Sequence, residues 1–234
     1  MTDPGNDSNR HRVLAQLKAA VSDYGAHELR INCSASVANG LATTGKVIYV
    51  SGWLLKSRQM ESLGTLAEMA GELALEAVAA YKNQRWYAGA ALVRQLIEAE
   101  YLVFLISLEP SVAEEWLAAT PEKMRKEFTP ARMRARANGM FRDKEYWLHC
   151  DLGGHPAPSA RHLLASHPDP IGSKEIHWLD LAQHLDRLWS HFCRALLSAD
   201  AFDAVPKEVL FQVGKAVAEW REGDSHREIE APET

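Results

Sequence analysis

Three histidines, His177, His184 and His191, recur every seven residues, with Asp180 and Arg187 between them, so this stretch carries a polar stripe at helical spacing. Imidazole nitrogen is a ligand for zinc and other transition metals, which makes the stripe the first place to look for an ion. The spacing argues against one. Seven helical residues rise about 10 Å, whereas a zinc–nitrogen bond is about 2 Å, so no two of the three can share a metal. Cys33, Cys150 and Cys193 are far apart and form no Cys-x-x-Cys pair, which removes zinc clusters and disulfide frameworks and suits a reducing compartment. The sequence therefore predicts no metal and no other cofactor. The stripe reads as a polar face, solvated or between helices, opposite Trp178, Leu185 and Phe192. A site built from part of it is the second reading.

Other residues invite chemistry. Gly40-Leu-Ala-Thr-Thr-Gly45-Lys46-Val47 approaches the phosphate-cradling Gly-x-x-x-x-Gly-Lys-Ser/Thr loop, but Val47 stands where a magnesium-binding hydroxyl belongs. It reads as a Gly-rich connection. Lys123, Arg125, Lys126, Arg132, Arg134 and Arg136 crowd fourteen residues whose only acid is Glu127, with Glu122 just before them. Of these, Lys123, Arg125, Lys126, Arg132 and Arg136 are the candidate contacts to an anion or an RNA backbone, because phosphates are bound by clustered cations; the bland alternative is a solvated face. Arg94 and Glu98 lie at i, i+4 in an apolar stretch, where buried charge is tolerated when paired. With Tyr101 they make a candidate inter-helix pocket.

The elements that must carry these residues are helical. An amphipathic helix is expected from about Arg10 to Glu28, after a flexible tail over residues 1–9. The Ser, Thr, Asn and Gly residues between Asn32 and Lys46 read as a loop, and a small β-hairpin near 29–50 is one reading of its flanks. Helical periodicity returns from Trp53 to Tyr81. Arg85 to Leu108 is apolar on nearly every side, the mark of a central helix, so Leu92, Leu96, Ile97, Phe104 and Leu105 are expected in the core. Ser111, with Glu114 three places on, has the capping-box spacing. Thr120-Pro121 and Thr129-Pro130 each put a capping residue before a proline at the first helical position, the second opening a helix that reaches toward Trp147. An irregular connection rich in Gly and Pro follows, over about residues 150–172. Ser173 then caps a helix from Lys174 to about Ala199, and Pro206 opens the last one, to near Arg221, before a tail over 223–234. The fold class is all-α: one domain over 10–222, a bundle of six or seven helices around the Arg85–Leu108 helix.

Composition limits the function classes. Apolar residues make up 47% of the 234, and the formal net charge is −5, so the chain as a whole does not steer toward nucleic acid. Met1 to Arg12 is polar and unlike a signal peptide. The longest apolar stretch, Ala88 to Leu108, is broken by Arg94, Glu98 and Glu100, charges costly in lipid. A cytoplasmic, soluble protein with no membrane partner is expected.

A resemblance enters at Ala91-Leu-Val-Arg94-Gln-Leu-Ile-Glu98-Ala-Glu-Tyr101, continues at Ala113-Glu-Glu-Trp116 and ends at Tyr146-Trp-Leu-His149-Cys-Asp-Leu-Gly-Gly-His155-Pro156. In that order these segments resemble a widespread family of bacterial all-helical proteins of unknown function, over roughly residues 60 to 160. That family in turn is similar to the HEPN helical domains (higher eukaryotes and prokaryotes nucleotide-binding), many of them ribonucleases of defence systems. The resemblance implies Arg-x4-6-His chemistry, in which the arginine holds phosphate and the histidine moves a proton. Arg142-Asp-Lys-Glu-Tyr-Trp-Leu-His149 fits, as do Arg161 to His167 and Arg221 to His226. The first follows the basic cluster and enters the segment bearing His155. The implied reading is a metal-independent endoribonuclease with Arg142, His149 and His155 as catalytic residues and RNA as partner. The alternative is a non-catalytic helical module that binds a protein or assembles with itself, and a homodimer is expected.

Overall fold

The computed structural model describes residues 24–164, 166 and 174–227, with isolated positions at Ala15 and Ala19. Among these residues there are nine α-helices and no strand. The helices are α1 (Tyr24–Leu55), α2 (Arg58–Lys82), α3 (Trp86–Leu108), α4 (Ser111–Leu117), α5 (Pro121–Glu127), α6 (Pro130–Arg136), α7 (Asp143–His149), α8 (Lys174–Ser198) and α9 (Lys207–Gly223). A π turn (Cys150–Gly154) and a 3-10 turn (Pro158–Leu163) follow α7. The all-α expectation stands, and the number of helices exceeds the expected six or seven. One reason is local: the helix expected to run from Ala131 to Trp147 is two, because Asn138 (φ 51°) and Gly139 (φ +81°) adopt left-handed backbone between α6 and α7.

The largest correction concerns residues 29–50, where neither loop nor hairpin forms. The whole stretch lies inside α1. Its small residues are there for packing. A Cβ added to Gly45 would lie 2.5 Å from the backbone nitrogen of Glu68, and one on Gly52 would lie 2.5 Å from that of Glu61. On the other side, Gly64 abuts the backbone of Tyr49, and Gly71 that of Ala42. Numbering rises along α1 as it falls along α2, so the two form an antiparallel hairpin whose backbones touch where glycine removes the side chain. Close approach overrides the low helix propensity of glycine, about 1 kcal/mol each relative to alanine. The P-loop-like Gly40–Val47 lies in this helix and presents no phosphate loop. Helix α9 runs antiparallel along another face of α1, with Val209 and Val213 against Gly40 and Leu29 against Gly223.

Helix α3 is central, as its pattern predicts: α2, α4, α6, α7, α8 and the π turn all pack on it. Leu96, Ile97, Phe104 and Leu105 are buried, whereas Leu92 is only partly covered. Thr120 and Thr129 cap α5 and α6, accepting from the amides of Lys123 and Arg132. Ser111 does not accept a capping bond; its hydroxyl donates to Glu109. At the far end, Arg30 of α1 is fully buried and bonds both oxygens of Asp224 (2.7 and 3.0 Å) and one of Glu175 (3.1 Å). Asp224, assigned from sequence to a terminal tail, is thus part of the core. The tails over 1–9 and beyond 227, the helix expected over most of 10–23, and Ser173 lie outside the described residues.

The glycine contact yields a sharp expectation. Gly64→Ala improves helix propensity by about 1 kcal/mol, yet its methyl group meets the backbone of Tyr49, and overpacking costs about 1–3 kcal/mol. Chemical denaturation is expected to show a net loss of stability. Equal or greater stability would contradict backbone contact between α1 and α2.

Candidate metal centre

The polar residues of α3, α7 and α8 converge. Glu100 stands on α3 amid apolar neighbours and has no exposed surface. Its Oε2 accepts from His184 Nδ1 at 2.6 Å and its Oε1 from Arg187 Nε at 2.8 Å, both on α8. Arg187 Nη2 reaches Glu145 Oε1 of α7 at 3.1 Å. His149, the last residue of α7, donates from Nδ1 to the backbone carbonyl of Glu145 at 2.7 Å, and its Nε2 lies 3.0 and 3.1 Å from the two oxygens of Asp180.

A carbonyl and a carboxylate only accept, so Nδ1 carries a proton in both His149 and His184. His149 Nε2 faces a carboxylate too and carries a second proton in the metal-free protein, one that a metal would displace. Arg187 Nη2 also lies 2.8 Å from His184 Nδ1, but two donors cannot bond each other, so its bond to Glu145 decides its place. The Nε2 atoms are left facing one carboxylate. His184 Nε2 is 3.6 Å from Asp180 Oδ1 and 3.8 Å from Glu145 Oε1. One donor atom from each of His149, Asp180 and His184 lies within 4.8 Å of the others. An ion bound at about 2.0–2.2 Å needs donors about 3–4 Å apart; the 3.0 and 3.6 Å separations from Asp180 fall in that range, and the set as a whole lies within 4.8 Å.

Charge follows from these contacts. Burial disfavours the imidazolium of His149, but the Asp180 carboxylate and the Glu145 carbonyl outweigh it and raise the pKa to about 9. Burial alone would raise Asp180; the charge on His149 wins and holds it well below the usual carboxylate range. Glu100 is likewise lowered, its burial outweighed by Arg187 and His184. The floor of the cluster is sealed, with the His184 side chain 2% exposed, whereas Asp180, Glu145 and Arg187 are 27%, 30% and 41% exposed and form a mouth.

The segment after α7 holds His149 in place. His155 N donates to Cys150 O, the wide i→i−5 bond of a π turn. Gly153 lies against the backbone of Ala90 and Ala91, and Gly154 against the side chain of Arg94, leaving no room for a Cβ at either. Beside this turn Arg94 bonds both Glu98 and the hydroxyl of Tyr146, each at 2.8 Å. Buried Arg134 lies 4.2 Å above the Tyr146 ring and bonds Asp143.

The residues singled out from sequence are thus distributed. Arg94 and Glu98 are an ion pair, and Tyr101 is buried beside them against Phe141 and Tyr146. Arg142 is exposed at the start of α7, while His149 is buried at its end, seven residues or about 10 Å along the helix. The two are not brought together. His155 is exposed beyond the π turn. In the basic cluster, Lys123 and Lys126 pair within α5 with Glu127 and Glu122, and Arg136 pairs with Glu109; Arg125 and Arg132 are exposed. All three stripe histidines are buried between helices. His177 stacks on Trp86 and lies tilted against Tyr81, and burial lowers its pKa to about 4. His191 meets Phe104 edge-on and Arg194, and burial takes it also to about 4.

Sequence reading missed Glu100, Glu145, Asp180 and His184 as a set. A signal existed: Glu145/His149 and Asp180/His184 each place a carboxylate four residues before a histidine. The same spacing recurs at Asp151/His155 and Glu222/His226, so spacing alone could not choose. No protein family, curated protein or solved structure matches the chain.

The pH dependence has a definite sign. His149 has a folded pKa of about 9, above its unfolded value near 6.5, so its stabilising contribution is full below pH 6.5 and lost as pH rises through 9. Chelator-treated protein is expected to melt at lower temperature at pH 9.5 than at pH 6.5, and His149→Gln should reduce that difference. A variant retaining the whole difference would show that another group controls it.

Proposed function

We propose that the protein binds one divalent transition-metal ion through His149 Nε2, His184 Nε2 and the Asp180 carboxylate, and that this ion serves a hydrolytic reaction. The observation that carries the reading is the orientation of the two imidazoles. Each gives its Nδ1 proton to an acceptor behind it, Glu145 carbonyl or Glu100 carboxylate, and each turns Nε2 toward the same aspartate. Metal-binding histidines are held in this way, because the second hydrogen bond sets both ring orientation and tautomer.

Charge supports the same reading. With neutral imidazoles, Glu100, Glu145 and Asp180 against Arg187 leave two negative charges in a mostly buried site, which one divalent ion cancels. Two histidines and one carboxylate leave open positions, and a metal in such a set lowers the pKa of a bound water to about 7. Glu145, whose Oε1 lies at the mouth 3.8 Å from His184 Nε2 and bonds Arg187, would be the carboxylate to take the water's proton. The metal-independent Arg142–His149 ribonuclease reading gains no support from this geometry, since both His149 nitrogens are engaged.

The seven-residue argument against a metal addressed His177, His184 and His191 only; the partner of His184 comes from another helix. Calorimetry of chelator-treated protein with zinc or cobalt is expected to show one ion per chain. Because loading displaces the proton on His149, affinity should rise with pH up to about 9. His149→Ala and His184→Ala should each abolish binding. No uptake at micromolar metal, or uptake unaffected by both variants, would overturn the reading.

A separate observation favours self-association. Trp53, Leu54 and Leu55, at the end of α1, are 65%, 65% and 71% exposed, and adjacent exposed apolar residues mark interfaces. We propose that this tip pairs with its copy in a symmetric dimer. Light scattering should return twice the 26.1 kDa chain mass, and Leu54→Glu should return the monomer. A parent protein that is monomeric at micromolar concentration would refute it.

A further inference from the structure

We infer that Arg187 anchors an anionic oxygen group, phosphate or carboxylate, of the ligand that occupies the His149–Asp180–His184 centre. This rests on the metal-binding reading and adds the chemical class of the substrate.

Arg187 differs from the other guanidiniums near the centre. Arg134 is buried, covered by the Tyr146 ring and bonded to Asp143. Arg94 is held by Glu98 and Tyr146 on the far side of the π turn. Arg187 is the most exposed of the three, at 41% of its side chain, against 22% for Arg94 and 6% for Arg134. Two of its nitrogens are taken: Nε by Glu100 and Nη2 by Glu145. Those two carboxylates, on α3 and α7, fix the plane of the guanidinium. Nη1 has no partner among the described residues. A rigid cation with one donor edge open, three residues along α8 from His184, is prepared for an oxygen anion without losing side-chain freedom on binding.

The charge balance makes this contact conditional on the ion. Without it, three carboxylates outweigh the two cations, Arg187 and the protonated His149, and the cluster stays negative toward an anion. A divalent ion held by neutral imidazoles would bring the cluster to neutrality, and an anionic oxygen group at the mouth would then be attracted to Nη1 rather than repelled. Nε is taken by Glu100 and Nη2 by Glu145, so the contact is made by the N–H groups of Nη1 alone rather than by the side-on Nε/Nη2 fork. Its loss should weaken binding about tenfold or more.

The test uses full-length protein loaded with cobalt(II), whose visible absorption reports its ligands. Inorganic phosphate and acetate are titrated separately, so that the two anion sources are distinguished. At least one should change the spectrum saturably. Arg187→Gln should still take up one cobalt and bind that anion about tenfold more weakly or worse. A second measurement needs no variant: phenylglyoxal, which modifies arginine, should label Arg187 in the cobalt protein, and saturating anion should protect it, read by peptide mass. Cobalt uptake with no spectral response to either anion overturns the inference and leaves the metal reading standing. So does labelling of Arg187 at the same rate with and without anion. Failure of the parent to bind cobalt overturns both.

Discussion

A carboxylate with no solvent cannot stand alone, and Glu100 is such a carboxylate, set in the middle of a strongly apolar helix. Desolvating an unpaired charge costs far more than any single packing contact returns. Helix α8 therefore has to present His184 and Arg187 to it, which fixes the rotation of α8 about its own axis and its height against α3. Arg187 then fixes α7 through Glu145, and α7 fixes His149. Removing one partner from a buried ionic pair costs about 3–5 kcal/mol. Glu100 thus organises the site without facing its mouth.

The same chain of contacts separates a rigid floor from a wet rim. His149, His184 and Glu100 are buried, whereas Asp180, Glu145 and Arg187 reach solvent. Groups on the floor can be held in one tautomer because nothing competes for their hydrogen bonds. Groups on the rim can exchange partners, as binding a ligand requires. The arrangement needs helices from distant parts of the sequence, α3 with α7 and α8, and a turn wide enough to let α7 end against α3.

How much of this was legible follows from the range of the interactions involved. Periodicity and capping are local, so α3, the two Thr-Pro starts and the Pro206 start could be read directly. Glycine is ambiguous locally. Gly40, Gly45 and Gly52 look like a loop until Gly64 and Gly71 of another helix are seen to need the space they leave. The site was harder still. His149 was singled out, but through an arginine at the opposite end of its own helix, and its actual partners lie at positions 145 and 180. His184 was weighed only against histidines on its own helix. Arg94 and Glu98 form an ion pair, the structural account their spacing suggested. Contacts within a helix are visible in spacing; contacts between helices are visible only in the fold.

The π turn at Cys150–Gly154 ties function to the count of residues as well as to their kinds. Two glycines clamp its end to α3 while His149 enters at its start, so the residues between act as a spacer of set length. Helical residues advance by about 100° each. Losing or gaining a single residue here would swing the imidazole away from Asp180 by more than a right angle even if every ligand were retained. An aligned homologue with a gap in this stretch would preserve the metal-binding letters of the sequence and lose the site they spell.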